Sequence, residues 1–215
     1  MDKIDNGTID FKGELLRKVI HLCSLSIPIV YTFIDKKTAL SYLIPITIIS
    51  VVIDYGRHFI KPLNDLVNKT FGFILREHES DTSKKNLNGA SYVFIAATLT
   101  MWLFPKIFFI TGFSVLIISD TAAALFGRRF GKHKFLSKSL EGTLAFFITA
   151  CIVVLFTPKV DGLPLEYVIG FVAAAVGAIV ENISYGWADD NLTIPISIGF
   201  TLWGLYLLFL PNLSF

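Results

Sequence analysis

The chain has 215 residues, of which 53% are hydrophobic and only 17% charged, and its mean hydropathy is +0.65. A soluble domain carries about 25% charged residues, so this chain lacks the polar surface that water requires. The composition therefore excludes a soluble globular enzyme, a disordered chain and a nucleic-acid-binding module. The length allows a single integral membrane domain covering residues 1–215, and the net charge of +2 is too small to indicate a polyanionic partner.

Seven apolar stretches approach the roughly 20 residues that a helix needs to cross the hydrocarbon core of a bilayer. They cover residues 14–34, 38–55, 89–105, 107–127, 143–158, 164–185 and 192–210. The sequence therefore predicts an all-α fold, a polytopic membrane helix bundle of about seven transmembrane helices surrounded by membrane lipids.

One further helical pattern lies in the polar stretch from Arg57 to Asn88. Apolar residues recur there at steps of three and four: Leu63, Leu66, Val67, Phe71, Ile74 and Leu75. This spacing predicts one amphipathic helix, which either lies on the membrane surface or packs against the bundle as a loop helix. The sequence leaves both interpretations open.

Lysines and arginines are distributed unequally between the two sides that seven spans would create. Of the 19, 15 lie in the N-terminal segment and in the second and fourth connections, whereas 4 lie on the opposite side. Because cytoplasmic loops are enriched in Lys and Arg, this asymmetry predicts a cytoplasmic N-terminus and an outside C-terminus. The membrane would be the cell membrane of a prokaryote or an endoplasmic reticulum-like membrane of a eukaryote.

Four carboxylates lie where lipid should exclude them. Asp120 is deep in the fourth apolar stretch, Glu181 is near the end of the sixth, Glu141 heads the fifth, and Asp190 opens the seventh. A carboxylate at a transmembrane helix centre costs about 2.5–3.5 kcal/mol, so these groups should face the protein interior and find a partner. That partner is either a lysine or, since Asp120 has no cation three or four positions away, a divalent metal.

A basic, glycine-containing segment follows Asp120. Glycines allow backbone N–H groups to turn toward an anion, and basic side chains add positive charge. Such a loop beside carboxylates is what a nucleoside triphosphate with Mg²⁺ needs, since phosphates bind the cations and the metal binds the acids. The alternative is ordinary positive charge that fixes the topology. The nucleotide-binding candidates are Gly127, Arg128, Gly131, Lys132, Lys134, Lys138 and Ser139.

Four segments carry a resemblance to a known family. SDTAAALFGRRFGKHKFLSKSLEG (119–142) resembles the nucleotide motif of CTP-dependent membrane lipid kinases, which comprise dolichol kinase, phytol kinase and CTP-dependent diacylglycerol kinase. VENISYGWADDNLTIP (180–195) resembles their C-terminal acidic motif, ELLRKVIHL (14–22) their first helix, and LNGASYVFIAATL (87–99) a middle helix.

The resemblance implies that phosphate passes from CTP, with Mg²⁺ or another divalent cation, to the hydroxyl of a polyprenol or dolichol, a phytol-like alcohol or diacylglycerol. It implies catalytic roles for Asp120, Glu141 and Asp190, and metal binding by these three and Glu181. It adds Asn191 to the nucleotide-binding candidates and Arg17, Lys18 and His21 as candidates for contacting substrate. The active site would face the cytoplasm, and the sequence leaves a homodimer open.

Two other functions are weighed against a lipid kinase. Phosphatidate cytidylyltransferase, which makes CDP-diacylglycerol, resembles the chain in its aspartate and basic glycine loop. Its C-terminal H-G-G pattern is missing here, where the sequence reads DDNLTIP (189–195). A transporter with acids at the membrane midplane would need no concentrated cationic loop, and its broken helices would usually contain central Gly/Pro pairs. The kinase is therefore the favoured prediction.

Overall fold

A computed structural model describes residues 11–72, 75, 86–184 and 189–214. Within these residues the chain forms nine helices and a two-stranded hairpin. The elements are α1 Phe11–Cys23, α2 Ser26–Phe33, α3 Lys36–Gly56, α4 Lys61–Phe71, α5 Gly89–Leu103, α6 Lys106–Phe130, β1 Lys134–Phe135, β2 Lys138–Ser139, α7 Leu140–Phe156, α8 Pro164–Ile183 and α9 Asp190–Phe209.

Five helical segments of the described chain are long and apolar enough to cross a membrane. They are Phe11–Phe33, which joins α1 and α2, together with α3, α6, α8 and α9. The helices α5 and α7 are apolar but shorter, and they correspond to the predicted spans 89–105 and 143–158. An α-helical membrane bundle is thus confirmed, whereas the number of seven spans stays a prediction.

Short polar side chains begin several of these helices. Asp35 accepts a hydrogen bond from the backbone N–H of Thr38 at the start of α3, and Asn88 accepts one from Ser91 at the start of α5. Such caps satisfy N–H groups that have no partner inside the helix. The helix α5 ends where Phe104 precedes a proline, since that position disfavours helical backbone.

The helix α6 is the centre of the bundle. Its middle residues are almost completely buried, including Phe113, Leu116 and Ile117. It packs against α1, α2, α7 and α9, so that its polar residues can meet side chains from several other helices. The helix α3, in contrast, exposes Ile48 and Ile49 on a surface that a bilayer would cover.

The predicted amphipathic helix is present as α4. None of its residues is buried, and Leu66 and Phe71 are 57% and 52% exposed. Because its apolar side chains have little protein to pack against in the described chain, the structure favours the membrane-surface interpretation over a helix packed on the bundle. Ile74, the next residue of the predicted pattern, lies outside the described residues.

The basic loop contains a short β-hairpin that the all-α prediction missed. The strands β1 and β2 are antiparallel, with Lys134 opposite Ser139 and Phe135 opposite Lys138. The turn between them places Leu136 at a φ of 50°, a left-handed conformation that is uncommon for a residue other than glycine. Strands of two residues leave no alternating apolar pattern, so sequence periodicity could not reveal them.

The orientation leads to a labelling prediction. In a variant with Cys23→Ser and Cys151→Ser, we expect a membrane-impermeant maleimide added outside the cell to label Ser214→Cys but not Ser137→Cys, because the basic loop should face the cytoplasm. Labelling after permeabilisation controls for reactivity at position 137, where the native side chain is exposed. Labelling of both positions from outside would contradict the predicted topology.

Candidate active site

Asp120 forms a buried ion pair with a lysine from another helix. Its Oδ2 lies 2.5 Å from Nζ of Lys18 in α1, and both side chains are almost inaccessible to solvent. The carboxylate therefore has a neutralising partner without a metal ion. This partner is not a neighbour of Asp120 in α6 but lies 102 residues away in sequence. His21, on the same face of α1 as Lys18, places its Nε2 3.8 Å from the same carboxylate oxygen.

Lys138, at the start of β2, binds two acids from the C-terminal motif. Its Nζ lies 2.5 Å from Glu181 Oε1 and 3.6 Å from Asp190 Oδ2. Burial alone would lower the pKa of Lys138, but the neighbouring carboxylates of Asp190 and Glu181 outweigh burial and raise it well above its ordinary value. The Lys138 ammonium is therefore charged at every physiological pH.

The two ion pairs belong to one electrostatic cluster. The Asp120 carboxylate contributes to the raised pKa of Lys138, and His21 interacts with both Asp120 and Asp190. The fold thus brings together acids that are far apart in sequence, as the resemblance to lipid kinases led us to expect. The prediction that Asp120 and Glu181 point into the bundle is confirmed, since both are buried.

The cluster can be tested for its fit to Mg²⁺. No three His, Cys, Asp or Glu side chains of the described chain are arranged to hold a metal ion. Mg²⁺ usually binds one or two protein carboxylates and completes its shell with water and substrate phosphates. Asp120 and Asp190 supply the required oxygen donors. The residues therefore fit a Mg²⁺ that arrives with a nucleotide, not a site built from protein ligands alone.

Glu141 holds the basic loop. Its carboxylate accepts hydrogen bonds from the backbone N–H of Lys132 at 3.1 Å and of His133 at 3.2 Å, and it pairs with His133 Nδ1 at 2.7 Å. The side chains of Lys132 and Lys134 are exposed to solvent. The structure thus gives Glu141 a role in shaping the loop, and its predicted catalytic and metal-binding roles stay predictions.

The predicted nucleotide-binding glycines lie where α6 meets α7. A Cβ atom at Gly131 would lie 2.9 Å from Ser139 Oγ, and one at Gly142 would lie 3.1 Å from the Ala123 carbonyl. A Cβ at Gly127 would lie 3.1 Å from the same hydroxyl. Ser139 itself caps α7 by accepting a hydrogen bond from the N–H of Gly142. Close packing accounts for these residues, and phosphate contacts at Gly127, Gly131 and Ser139 stay predictions.

The remaining candidates surround the cluster. Arg128, at the end of α6, places Nη1 3.8 Å from Glu14 Oε2 of α1. Arg17 has a buried Nη1 that makes no hydrogen bond within the described residues, and its charge acts on Asp189. Asn191 donates to Asp189 Oδ1 at 2.8 Å and so stabilises the first turn of α9. The three α1 candidates, Arg17, Lys18 and His21, therefore all lie beside the acids.

Sequence reasoning missed Asn182. Its buried Oδ1 accepts hydrogen bonds from the backbone N–H of Ser137 at 2.8 Å and of Lys138 at 3.1 Å, and its Nδ2 donates to Thr143 Oγ1 at 2.6 Å. These contacts fix the hairpin turn onto α8 and so position the Lys138 side chain. The available signal was an amide next to Glu181 inside an otherwise apolar helix.

We therefore expect Asn182→Ala to lower the melting temperature and to raise the KM for nucleotide. The change removes the acceptor of the N–H groups of Ser137 and Lys138, and each lost hydrogen bond contributes about 0.5–1.5 kcal/mol to stability. Thermal unfolding in detergent and nucleotide kinetics measure the two effects. Asn68→Ala on the exposed face of α4 is the matched control. A normal KM in the Asn182 variant would show that the turn does not position Lys138.

Several known proteins are similar to this chain in amino-acid sequence. The chain is 32% identical to the uncharacterized protein RP860 of Rickettsia prowazekii over 88% of this chain and 93% of that protein. It is 32% identical to CTP-dependent diacylglycerol kinase 1 of Schizosaccharomyces pombe over 61% of this chain and 64% of the kinase. The protein of that name from Saccharomyces cerevisiae is 28% identical over 88% of this chain and 72% of the kinase.

The name of a fourth relative refers to a different substrate. Phytol kinase of Synechocystis is 34% identical over 47% of this chain and 46% of the kinase. No protein-family model and no solved structure matches the chain. The chain thus belongs to the family of the Rickettsia protein RP860, and CTP-dependent diacylglycerol kinases and phytol kinase are its distant homologues.

Proposed function

We propose that the protein is a CTP-dependent lipid kinase that transfers the terminal phosphate of CTP to the hydroxyl of a hydrophobic membrane alcohol. The observation that carries the proposal is the cluster in which Asp120, Lys138, Glu181 and Asp190 meet beneath a basic hairpin. The homologues named as kinases support a lipid kinase in general, and two of them name CTP as the donor.

The hairpin side of the cluster suits the triphosphate. Phosphoryl transfer depends mainly on positioning the reactants and neutralising charge, with little covalent chemistry for the protein. Lys138 carries a permanent positive charge there, and the exposed ammonium groups of Lys132 and Lys134 add to the field around the hairpin. An entering phosphate would compete with the carboxylates of Glu181 and Asp190 for the ammonium of Lys138. The lysine could therefore exchange a carboxylate partner for a phosphate without moving out of the site.

The acids would hold the metal. In this proposal Asp120 and Asp190 would hold the Mg²⁺ that accompanies the nucleotide, and its positive charge would offset charge on the phosphate being transferred. Lys18 would hold the Asp120 carboxylate in place through their ion pair. Asn182 and Glu141 hold the two ends of the hairpin loop, so their contribution is to orient Lys138 and the backbone around it.

The acceptor would enter from the bilayer while the nucleotide enters from the cytoplasm. The homologues' names point to diacylglycerol or a phytol-like alcohol, two molecules that share a primary hydroxyl attached to a hydrophobic body. We propose this class of acceptor. The cytoplasmic orientation rests on the asymmetry of lysine and arginine, and Ser137→Cys labelling tests it separately.

Position-specific labelling of CTP distinguishes the kinase from its closest alternative. Purified protein in detergent receives Mg²⁺ and one acceptor, which is either an alcohol (dioctanoylglycerol, phytol or a short polyprenol) or phosphatidate. Each acceptor is tested with CTP labelled at the γ-phosphate and with CTP labelled at the α-phosphate. The kinase should place only the γ-label in the product of an alcohol. Transfer of the α-label to phosphatidate, with pyrophosphate released, would instead establish a cytidylyltransferase. Asp120→Asn controls for contaminating activity, and ATP in place of CTP tests the donor.

A further inference from the structure

His21, a candidate for contacting substrate, is a buried polar group to which the proposed function gives no specific partner. Its side chain is 10% exposed, and its Nε2 has no hydrogen-bond partner within the described residues. The separation of 3.8 Å from Asp120 Oδ2 exceeds hydrogen-bonding distance. Buried polar atoms in native proteins are nearly always satisfied, so the unpaired nitrogen beside Asp120 has the capacity to bind a ligand.

The depth of His21 follows from two contacts between α1 and α6. Glu14 of α1 is near Arg128 at the hairpin end of α6, while Lys18 pairs with Asp120 farther from that end. The two helices therefore run antiparallel, and each step along α1 leads away from the hairpin. His21 is one turn beyond Lys18, and Asp120 is already about 15 Å along α6 from its end at Phe130.

The cluster consequently has two sides. Lys138 approaches the acids Glu181 and Asp190 from the hairpin, where a nucleotide would enter. His21 approaches Asp120 from α1, one helical turn farther from the hairpin than Lys18. On α1 the neighbouring side chains of Val19 and Ile20 are 50% and 45% exposed and form an apolar surface that lipid would cover. A hydrocarbon chain lying on this surface can direct a polar end group inward to His21.

We infer that Nε2 of His21 is the hydrogen-bond partner of the acceptor alcohol's hydroxyl, which it holds next to Asp120. The inference rests on the proposed lipid kinase activity and assigns the alcohol to the α1–α6 side of the site. It differs from a phosphate contact at His21, which would need the nucleotide to reach the α1 side of the site. The chemical feature recognised is a hydroxyl group on a hydrophobic chain.

Histidine NMR tests the inference without relying on turnover. Protein with ¹⁵N-labelled histidine in detergent is titrated with dioctanoylglycerol or phytol, each compared with its acetate ester, which lacks the hydroxyl. We expect the alcohols, but not the esters, to shift the Nε2 resonance of His21, which is assigned by its loss in His21→Gln. His58 and His133 are internal controls, since they contact Asn86 and Glu141 instead.

Kinetics supply the second measurement. We expect His21→Ala to raise the KM for the alcohol about tenfold, as expected for one lost hydrogen bond, and to leave the Kd for CTP within about twofold of wild type. His21→Gln should recover part of the loss because its amide can replace the imidazole. A weaker Kd for CTP with an unchanged KM for the alcohol would overturn the inference in favour of a phosphate contact.

The two measurements distinguish failure of the alcohol-binding site at His21 from failure of the proposed kinase activity. A hydroxyl-dependent shift of His21 without phosphate transfer would support the binding site and refute the kinase. Phosphate transfer without that shift, and with a normal KM in His21→Ala, would refute the site and leave the kinase intact. The absence of both would refute both proposals.

Discussion

Asp120→Asn is expected to reduce kcat by at least about 100-fold, because it removes the charge that would hold the metal against the transferring phosphate. The change also leaves the buried ammonium of Lys18 without its counter-ion. Breaking a buried ion pair by removing one partner typically costs about 3–5 kcal/mol, so the melting temperature should fall as well. Activity and thermal unfolding must therefore be measured on the same preparation.

A second variant separates the two effects of this change. Lys18→Met combined with Asp120→Asn removes both charges, which should return the melting temperature toward wild type because no unpaired ion remains buried. Activity should stay at the level of Asp120→Asn. If the double variant regained both stability and catalysis, Asp120 would be a structural ion-pair partner only, and the site would have to be rebuilt around Glu181 and Asp190.

The Lys18–Asp120 pair shows what the sequence could and could not predict. The free-energy cost of a carboxylate in lipid was sufficient to predict that Asp120 and Glu181 face the protein interior. The partner of Asp120 was beyond this reasoning, since it comes from a different helix and the choice between Lys18 and a metal depends on how α1 packs. Lys18 was named only through the resemblance to lipid kinases.

The basic loop shows the same limit. Its composition predicted anion binding by Gly127 and Gly131, but a glycine required for close helix packing looks identical in sequence to one that exposes an N–H group. The hairpin and its attachment to Asn182 depend on contacts across more than forty residues. Glu141 differs, because its contact with His133 is local in sequence, and its predicted place among the acids stays a prediction.

Lys138→Ala is expected to raise the KM for nucleotide by about tenfold or more, or to abolish activity, since it removes a charged donor from the proposed triphosphate site. It also leaves the carboxylates of Glu181 and Asp190 without their shared cation, and their negative charge would repel a phosphate. Equilibrium binding of CTP and steady-state kinetics measure the loss, with Lys69→Ala on the exposed helix α4 as the matched control.

Further variants distinguish two roles of the Lys138 cation: binding the phosphate of the nucleotide, and neutralising the carboxylate of Glu181. Lys138→Arg keeps the cation and should retain more nucleotide affinity than Lys138→Ala. Lys138→Ala with Glu181→Gln removes one charge of each sign, so part of the thermal stability lost in Lys138→Ala should return. CTP binding should stay weak, because the cation that would bind phosphate is still missing. Recovery of CTP binding in this double variant would mean that Lys138 serves only to neutralise Glu181. The nucleotide would then be bound by other cations of the loop, with Arg128 and Lys132 the next to be substituted.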